Sequence, residues 1–401
     1  MKHVPGGVCA PQGFTAAGVN ATIKRSSKKR DCALILSDRV AEVAGMFTQN
    51  ILKSPPVIWN QSLCLREAAR AVFANSGNAN AATGKRGMDD VRATAQQVGS
   101  KLGIEPDQVC ILSTGVIGVP LPMDRIANGI EGCAAALTRD GGPQAAEAIM
   151  TTDKTAKERA IEITLGGKPV RIGAIAKGAG MISPNMATMI CVLTTDAAFA
   201  PEVLHSLLFD AVEQSFNRIG IDNDMSTSDS VLILANGASG VPAIGARSKE
   251  REEFGEALTQ LCKDMALWIV KDGEGVTKVV EIFVRGAQTD DDAKTIARSI
   301  GNSMLCKTAF FGQDPNWGRI ACAAGYAGVE FDPAELDIWL GNVQVCKGGL
   351  GATYAEEDAA TVMRKPEFTI TLNIGEGPGE ALFWTSDLSH DYVSINADYR
   401  T

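Results

Sequence analysis

The chain has 401 residues, 45% of them hydrophobic, and a formal net charge of -9. That length and apolar content support a substantial core and exclude a chain dominated by disorder. The acidic balance argues against a nucleic-acid partner, because polyanion binding draws on clustered basic charge.

The one basic run, KRSSKKR over residues 24–30, is short and reads as a solvated loop. The first residues, MKHVPGGVCAPQGF, lack the apolar stretch of a secretory signal. No segment reaches membrane-spanning length, so a cytoplasmic protein with no membrane partner is expected. Ten cysteines contain no C-x-x-C pair and read as reduced core residues, not as a zinc or redox site. His3, His205 and His390 stand in ordinary contexts and are read as structural or surface groups, so no metal site is expected.

In chain order, Cys32–Leu36 reads as a strand, Leu63–Ala74 as an apolar-striped helix and Val109–Leu112 as a strand. Met189–Leu193 is continuously apolar and suits a strand buried on both faces. Leu204, Leu207, Leu208, Ala211 and Val212 recur at three- and four-residue spacing and predict a helix. Val231–Ala235 is a second buried strand, ended by Asn236-Gly237. A long helix carries Phe254, Leu258, Leu261, Met265 and Ile269 on one face. Lys278–Val284 returns to strand, and Asp291–Ile300 to helix. The alternation predicts a mixed α/β fold with helices covering layered sheets. No compositional linker divides the chain.

Four islands of glycine and small polar residues fall where turns are expected: residues 75–80, 113–118, 177–188 and 312–319. Glycine lets backbone amides approach a ligand or turn at positive φ, as an anion-stabilising pocket requires, and together these islands form the candidate site. The third places Thr188 at the entrance of a buried strand. A hydroxyl there could attack the preceding carbonyl in an N-to-O acyl shift, and hydrolysis of the ester would free a new N-terminal threonine. Its α-amine, with a reference pKa of about 7.7 to 8.0, would be a base built into the nucleophilic residue. No histidine is then needed.

The segment KGAGMISPNMATMICVLTTDA, residues 177–197, resembles the signature of the glutamate N-acetyltransferase family, also called ornithine acetyltransferase. SDRVAEVAGMFTQN (37–50), NSGNANAATG (75–84), STGVIGVPLP (113–122), AIMTTD (148–153), GQDPNWGRI (312–320) and DLSHDYVSINADYRT (387–401) resemble further family blocks in the expected order. Ala179 stands where many relatives have serine. The buried Cys191 is a poor nucleophile, since a thiolate inside an apolar strand is badly solvated.

The resemblance implies an αββα sandwich of two mixed sheets. It implies self-cleavage between Ala187 and Thr188 into an α piece (1–187) and a β piece (188–401) that stay together as an α2β2 heterotetramer. Thr188 would be the nucleophile of both cleavage and transfer, and Thr114 and Gly115 the oxyanion-stabilising pair. Thr151, Lys177, Thr188, Glu274, Asn396 and Thr401 would bind substrate, with Thr152 the alternative to Thr151. The implied reaction is a ping-pong transfer of acetyl from N2-acetyl-L-ornithine to L-glutamate in arginine biosynthesis, without a dissociable cofactor. Use of acetyl-CoA as a second donor is the main alternative. The absence of a Gly-rich pyrophosphate loop says little about it. A self-cleaving hydrolase or aminopeptidase, and a binding protein that stays uncut, are the rivals.

Overall fold

A computed structural model describes residues 1–24, 28–66, 68–183, 189–200 and 202–398. Its architecture follows from one bent strand, Cys32–Phe47. The first part of that strand pairs antiparallel with Phe14–Val19 on one side and Ala69–Asn78 on the other. Its last part pairs antiparallel with Ser230–Ala235. The register shifts between Leu36 and Ala41, an irregularity of the kind that bends a strand and lets it serve two layers. One layer continues through Ala69–Asn78 to Val109–Val116. The other runs from Ser230–Ala235 through Ile190–Thr195, Lys168–Lys177 and Lys157–Leu165 to Lys2–Val4.

Alternation along the strands sorts the side chains into three cores. Ile190, Val192, Leu232 and Leu234 meet Val72, Ala74, Cys110 and Leu112 between the layers. Their neighbours Cys191, Leu193, Val231 and Ile233 face outward onto Leu204, Leu208, Leu258 and Leu261. On the far side, Ala71, Phe73, Val109 and Ile111 pack on Val91, Val98, Ile126 and Ile130. The order is therefore helix, sheet, sheet, helix, and the continuously apolar runs are strands with two buried faces.

The expected helices form at Val203–Glu213, Lys249–Lys271 and Asp290–Asn302. Phe254, Leu258, Leu261, Met265 and Ile269 are all fully buried. The Ser248 side chain starts the long helix by accepting from the Arg251 amide at 3.3 Å. That helix delivers its C-terminal end, and Glu274 just beyond, to the edge of the sandwich.

Leu63–Ala74 is a correction. A helix ends at Cys64, and Ala69–Asn78 is a strand. Ala71 and Phe73 face one core and Val72 and Ala74 another, so the run is apolar on both sides and its spacing cannot separate strand from helix. Among the described residues, a seven-stranded C-terminal sheet, centred on Val279–Ala287, Glu367–Asn373 and Gly379–Ser386, adds to the expected sandwich. It packs Val280, Ile282 and Val284 against Ile296, Ile300, Phe310 and Ile320.

Eight cysteines are buried, as expected, but Cys64 is half-buried and Cys322 exposed. Among the described residues no helix is long and apolar enough to cross a membrane.

Candidate functional site

Parallel pairing brings the ends of separate chain segments together. Ala69–Asn78 and Val109–Val116 run parallel, which sets Ser76 opposite Thr114 and Gly77 opposite Gly115. Gly115 has φ of 129°, and a Cβ there would lie 2.4 Å from the Gly77 carbonyl carbon and 2.6 Å from the Asn78 nitrogen. Only glycine permits that approach. From the facing layer, Lys177 ends its strand with Nζ 3.5 Å from Thr114 Oγ1. Ile190–Thr195 and Ser230–Ala235 also run parallel, so Met189, just ahead of its strand, lies beside Asp229.

Thr114, Gly115, Thr151, Lys177, Glu274 and Asn396 line one pocket. Thr152 lines it as well, so both threonines reach the site. Ala187, Thr188 and Thr401 lie outside the described residues.

Beneath the pocket, two buried carboxylates share one fully buried lysine. Lys157 Nζ donates to Asp153 Oδ1 at 2.7 Å and to Asp272 Oδ2 at 2.5 Å. Asp153 also accepts from the Thr151 amide at 3.0 Å and the Gly178 amide at 2.7 Å. Asp272 accepts from the Lys154 and Thr155 amides. Three segments that line the pocket, around Thr151, Lys177 and Glu274, are thereby tied together. Burial alone would raise the Asp153 carboxyl, but Lys177, Lys157 and the Gly178 amide outweigh it and hold it at about 2. Burial lowers the Lys177 ammonium, while Asp153, Asp229 and Glu274 act to keep it charged.

Glu274 is 7% exposed, and its Oε2 accepts from Asn396 Nδ2 at 2.8 Å. Gly180 makes room for it, since a Cβ there would come within 2.5 Å of Glu274 Oε2. Asn396 lies on the helix His390–Asp398, and Tyr392 of that helix donates to Asp222 Oδ2 at 3.2 Å. Asp222 in turn accepts from the Met181 and Ile182 amides. The final helix and the loop leading toward residue 184 therefore share one anchor.

Two expectations are corrected. Residues 312–319 do not line the pocket. Gln313 closes the helix Met304–Gly312 in the left-handed conformation, and the Asn316 side chain caps Trp317–Gly325, so this island is a helix–helix connection. The basic run is not wholly solvated either. Lys24 is half-buried against Gly77, and its Nζ donates to Met150 O at 2.7 Å. Burial brings it down to about 8.

Cys191 is fully buried and its thiol is pushed well up by that burial. The three histidines are exposed. Asp153, Lys157, Asp272, Asp222 and Tyr392 were not singled out from sequence. Asp153 closes the block AIMTTD, but nothing in the spacing separates it from a surface charge.

Removing the shared cation strands two buried carboxylates, a change that costs about 3–5 kcal/mol. Lys157→Met is expected to lose stability on that scale near pH 7 in urea titrations. Asp153 is ionised in the fold down to about pH 2 but in an unfolded chain only to about pH 4. Its contribution is therefore complete above about pH 4 and fades as pH falls toward 2, so the deficit of Lys157→Met should narrow over that interval. A deficit that is absent at neutral pH, or constant down to pH 2, would contradict this assignment.

Comparison with known proteins agrees with the sequence resemblance. Residues 15–401 match the model of the ArgJ family. The arginine biosynthesis bifunctional protein ArgJ of Symbiobacterium thermophilum is 47% identical over 402 residues, covering 100% of both chains. That of Geobacter sulfurreducens is 48% identical over 391 residues, covering 97% of this chain and 99% of its own. Among solved structures, the crystal structure of the arginine biosynthesis bifunctional protein from Bacillus halodurans aligns at 37% identity with a TM-score of 0.50. It covers 51% of this chain and 97% of its own.

Proposed function

The chain belongs to the ArgJ family, and from that membership and the pocket we propose that it moves acetyl from N2-acetyl-L-ornithine to L-glutamate in arginine biosynthesis. The acetyl group rides on Thr188, which becomes the N-terminal residue of a β piece (188–401) when the chain cuts itself after Ala187. The observation that supports this reading most is convergence. Thr114, Gly115, Thr151, Lys177, Glu274 and Asn396, drawn from separate stretches of sequence, line one pocket beside the strand that begins just after Thr188. The solved Bacillus halodurans chain supports the cut. It spans about half of this one, whereas the curated relatives run its full length.

In the precursor, Thr188 Oγ attacks the Ala187 carbonyl, the peptide C–N bond breaks, and the nitrogen takes up the proton the hydroxyl gives off. Water then hydrolyses the ester. In the mature enzyme the free α-amine accepts the Oγ proton as Oγ adds to the acetyl carbonyl. Thr114 and Gly115 receive the oxyanion. The acetyl C–N bond breaks and ornithine leaves with the proton; the glutamate amine then attacks the acetyl ester, the C–Oγ bond breaks, and the α-amine passes the proton lost by glutamate back to Thr188 Oγ. Lys177 meets a substrate carboxylate and Glu274 a substrate ammonium, as their charges suit. No dissociable cofactor takes part.

The relatives are called bifunctional, which favours a second reading for the same site, with acetyl-CoA as an additional donor. The α and β pieces stay together as an α2β2 assembly in the cytoplasm.

Intact-mass measurement of the purified protein should show two pieces meeting between Ala187 and Thr188, and Thr188→Ala should stay whole and inactive. A Thr188→Ala protein that divides and still acetylates glutamate would sink the proposal. Thr114→Ala removes one oxyanion donor and is expected to cut kcat by about 100- to 1,000-fold. Steady-state assays that find kcat within about threefold of wild type would remove Thr114 from that role.

A further inference from the structure

After the cut, Thr188 is a chain terminus joined to the fold by one covalent bond, to Met189. Termini fray unless something ties them down. A reacting group misplaced by about 1 Å can lose on the order of 100-fold in rate. What fixes Met189 therefore governs the nucleophile.

The paired strand begins only at Ile190, opposite Ser230 and Lys177. Ahead of it, the Met189 amide donates to Asp229 Oδ1 at 3.2 Å, and the Met189 carbonyl accepts from the Ser230 amide at 3.1 Å. The Met189 side chain is buried in the outer core.

Asp229 is fully buried, and its Oδ2 has no hydrogen-bond partner among the described residues. Its backbone is held from the bent strand's end. Thr48 N donates to Asp229 O at 3.0 Å, and Thr48 Oγ1 donates to Ser226 O at 2.8 Å. Burial pushes the carboxyl well above the usual range, against the pull of the Met189 amide, of Lys177 and of the Thr48 and Ser226 hydroxyls. The hydrogen bond from the Met189 amide needs only an acceptor oxygen at Oδ1. Ser226, Thr227 and Ser228, just before it, line the pocket.

We infer that Asp229 is a positioning residue for the acetyl transfer: by accepting the Met189 amide it holds the cut end so that Thr188 stays where the acetyl group is delivered. The inference rests on the reading of Thr188 as nucleophile. A neutral acceptor of the same shape suffices for this role, and no charge on Asp229 is required.

Two measurements test it. In the cut wild-type enzyme, the Met189 amide should exchange with deuterium far more slowly than a solvent-exposed amide. Exchange at the solvent rate overturns the inference whatever the variants do. Asp229→Ala should lower kcat by about tenfold or more with KM for acetylornithine changed less than about twofold, and Asp229→Asn should restore kcat to within about threefold of wild type. Wild-type kcat in Asp229→Ala, or an Asp229→Asn enzyme as slow as Asp229→Ala, overturns it. Should Asp229→Ala stay uncut or unfolded, the wild-type exchange decides. If Thr188→Ala abolishes transfer while Asp229→Ala leaves it intact, this inference alone fails. A Thr188→Ala enzyme that still transfers removes the reading beneath it.

Discussion

Lys157 sits fully buried between Asp153 and Asp272, and its ammonium cannot be left without both carboxylates except at a cost of several kcal/mol. Those carboxylates belong to different parts of the chain and each also holds backbone amides. Asp153 ties Thr151 to Gly178, and Asp272 lies two residues before Glu274. Satisfying one buried charge thus requires three pocket-lining segments to meet. The pocket's geometry is a condition of folding and does not have to be assembled when substrate arrives, which is the preorganisation that transition-state stabilisation demands.

The sandwich supplies the rest of the frame. Its two parallel strand pairs set chain ends side by side, Ser76 and Gly77 beside Thr114 and Gly115 in one layer, and Met189 beside Asp229 in the other. Gly115 and Gly180 are needed for close approach, the first of backbone to backbone and the second of backbone to the Glu274 carboxylate. The final helix closes the arrangement through Asn396 and Tyr392, although none of its residues is buried.

Much of the fold is legible in the sequence because its strands are short apolar runs and its helices carry regular stripes. Ile190–Thr195, Ser230–Ala235 and the helix Lys249–Lys271 follow from those patterns alone. Ala69–Asn78 does not, because a strand packed on both faces has the same composition as a buried helix. The C-terminal sheet escaped notice as a separate layer since no linker marks its start. Of the glycine islands, those at 75–80, 113–118 and 177–183 contribute residues to the pocket, and the one at 312–319 does not. The small residues that cradle an anion also cap and connect helices. The network of Asp153, Lys157 and Asp272 was illegible for a different reason. Burial, which turns an ordinary charge into a structural clamp, depends on partners more than a hundred residues apart.

In the proposed reaction the acetyl group is carried covalently on Thr188. Incubating the cut enzyme with N2-acetyl-L-ornithine labelled in the acetyl group, in the absence of glutamate, and sequencing the labelled peptide by mass spectrometry addresses it directly. One acetyl should appear on the residue that opens the β piece and be discharged on addition of glutamate. A label on any other residue, or transfer to glutamate without a labelled protein, would contradict it.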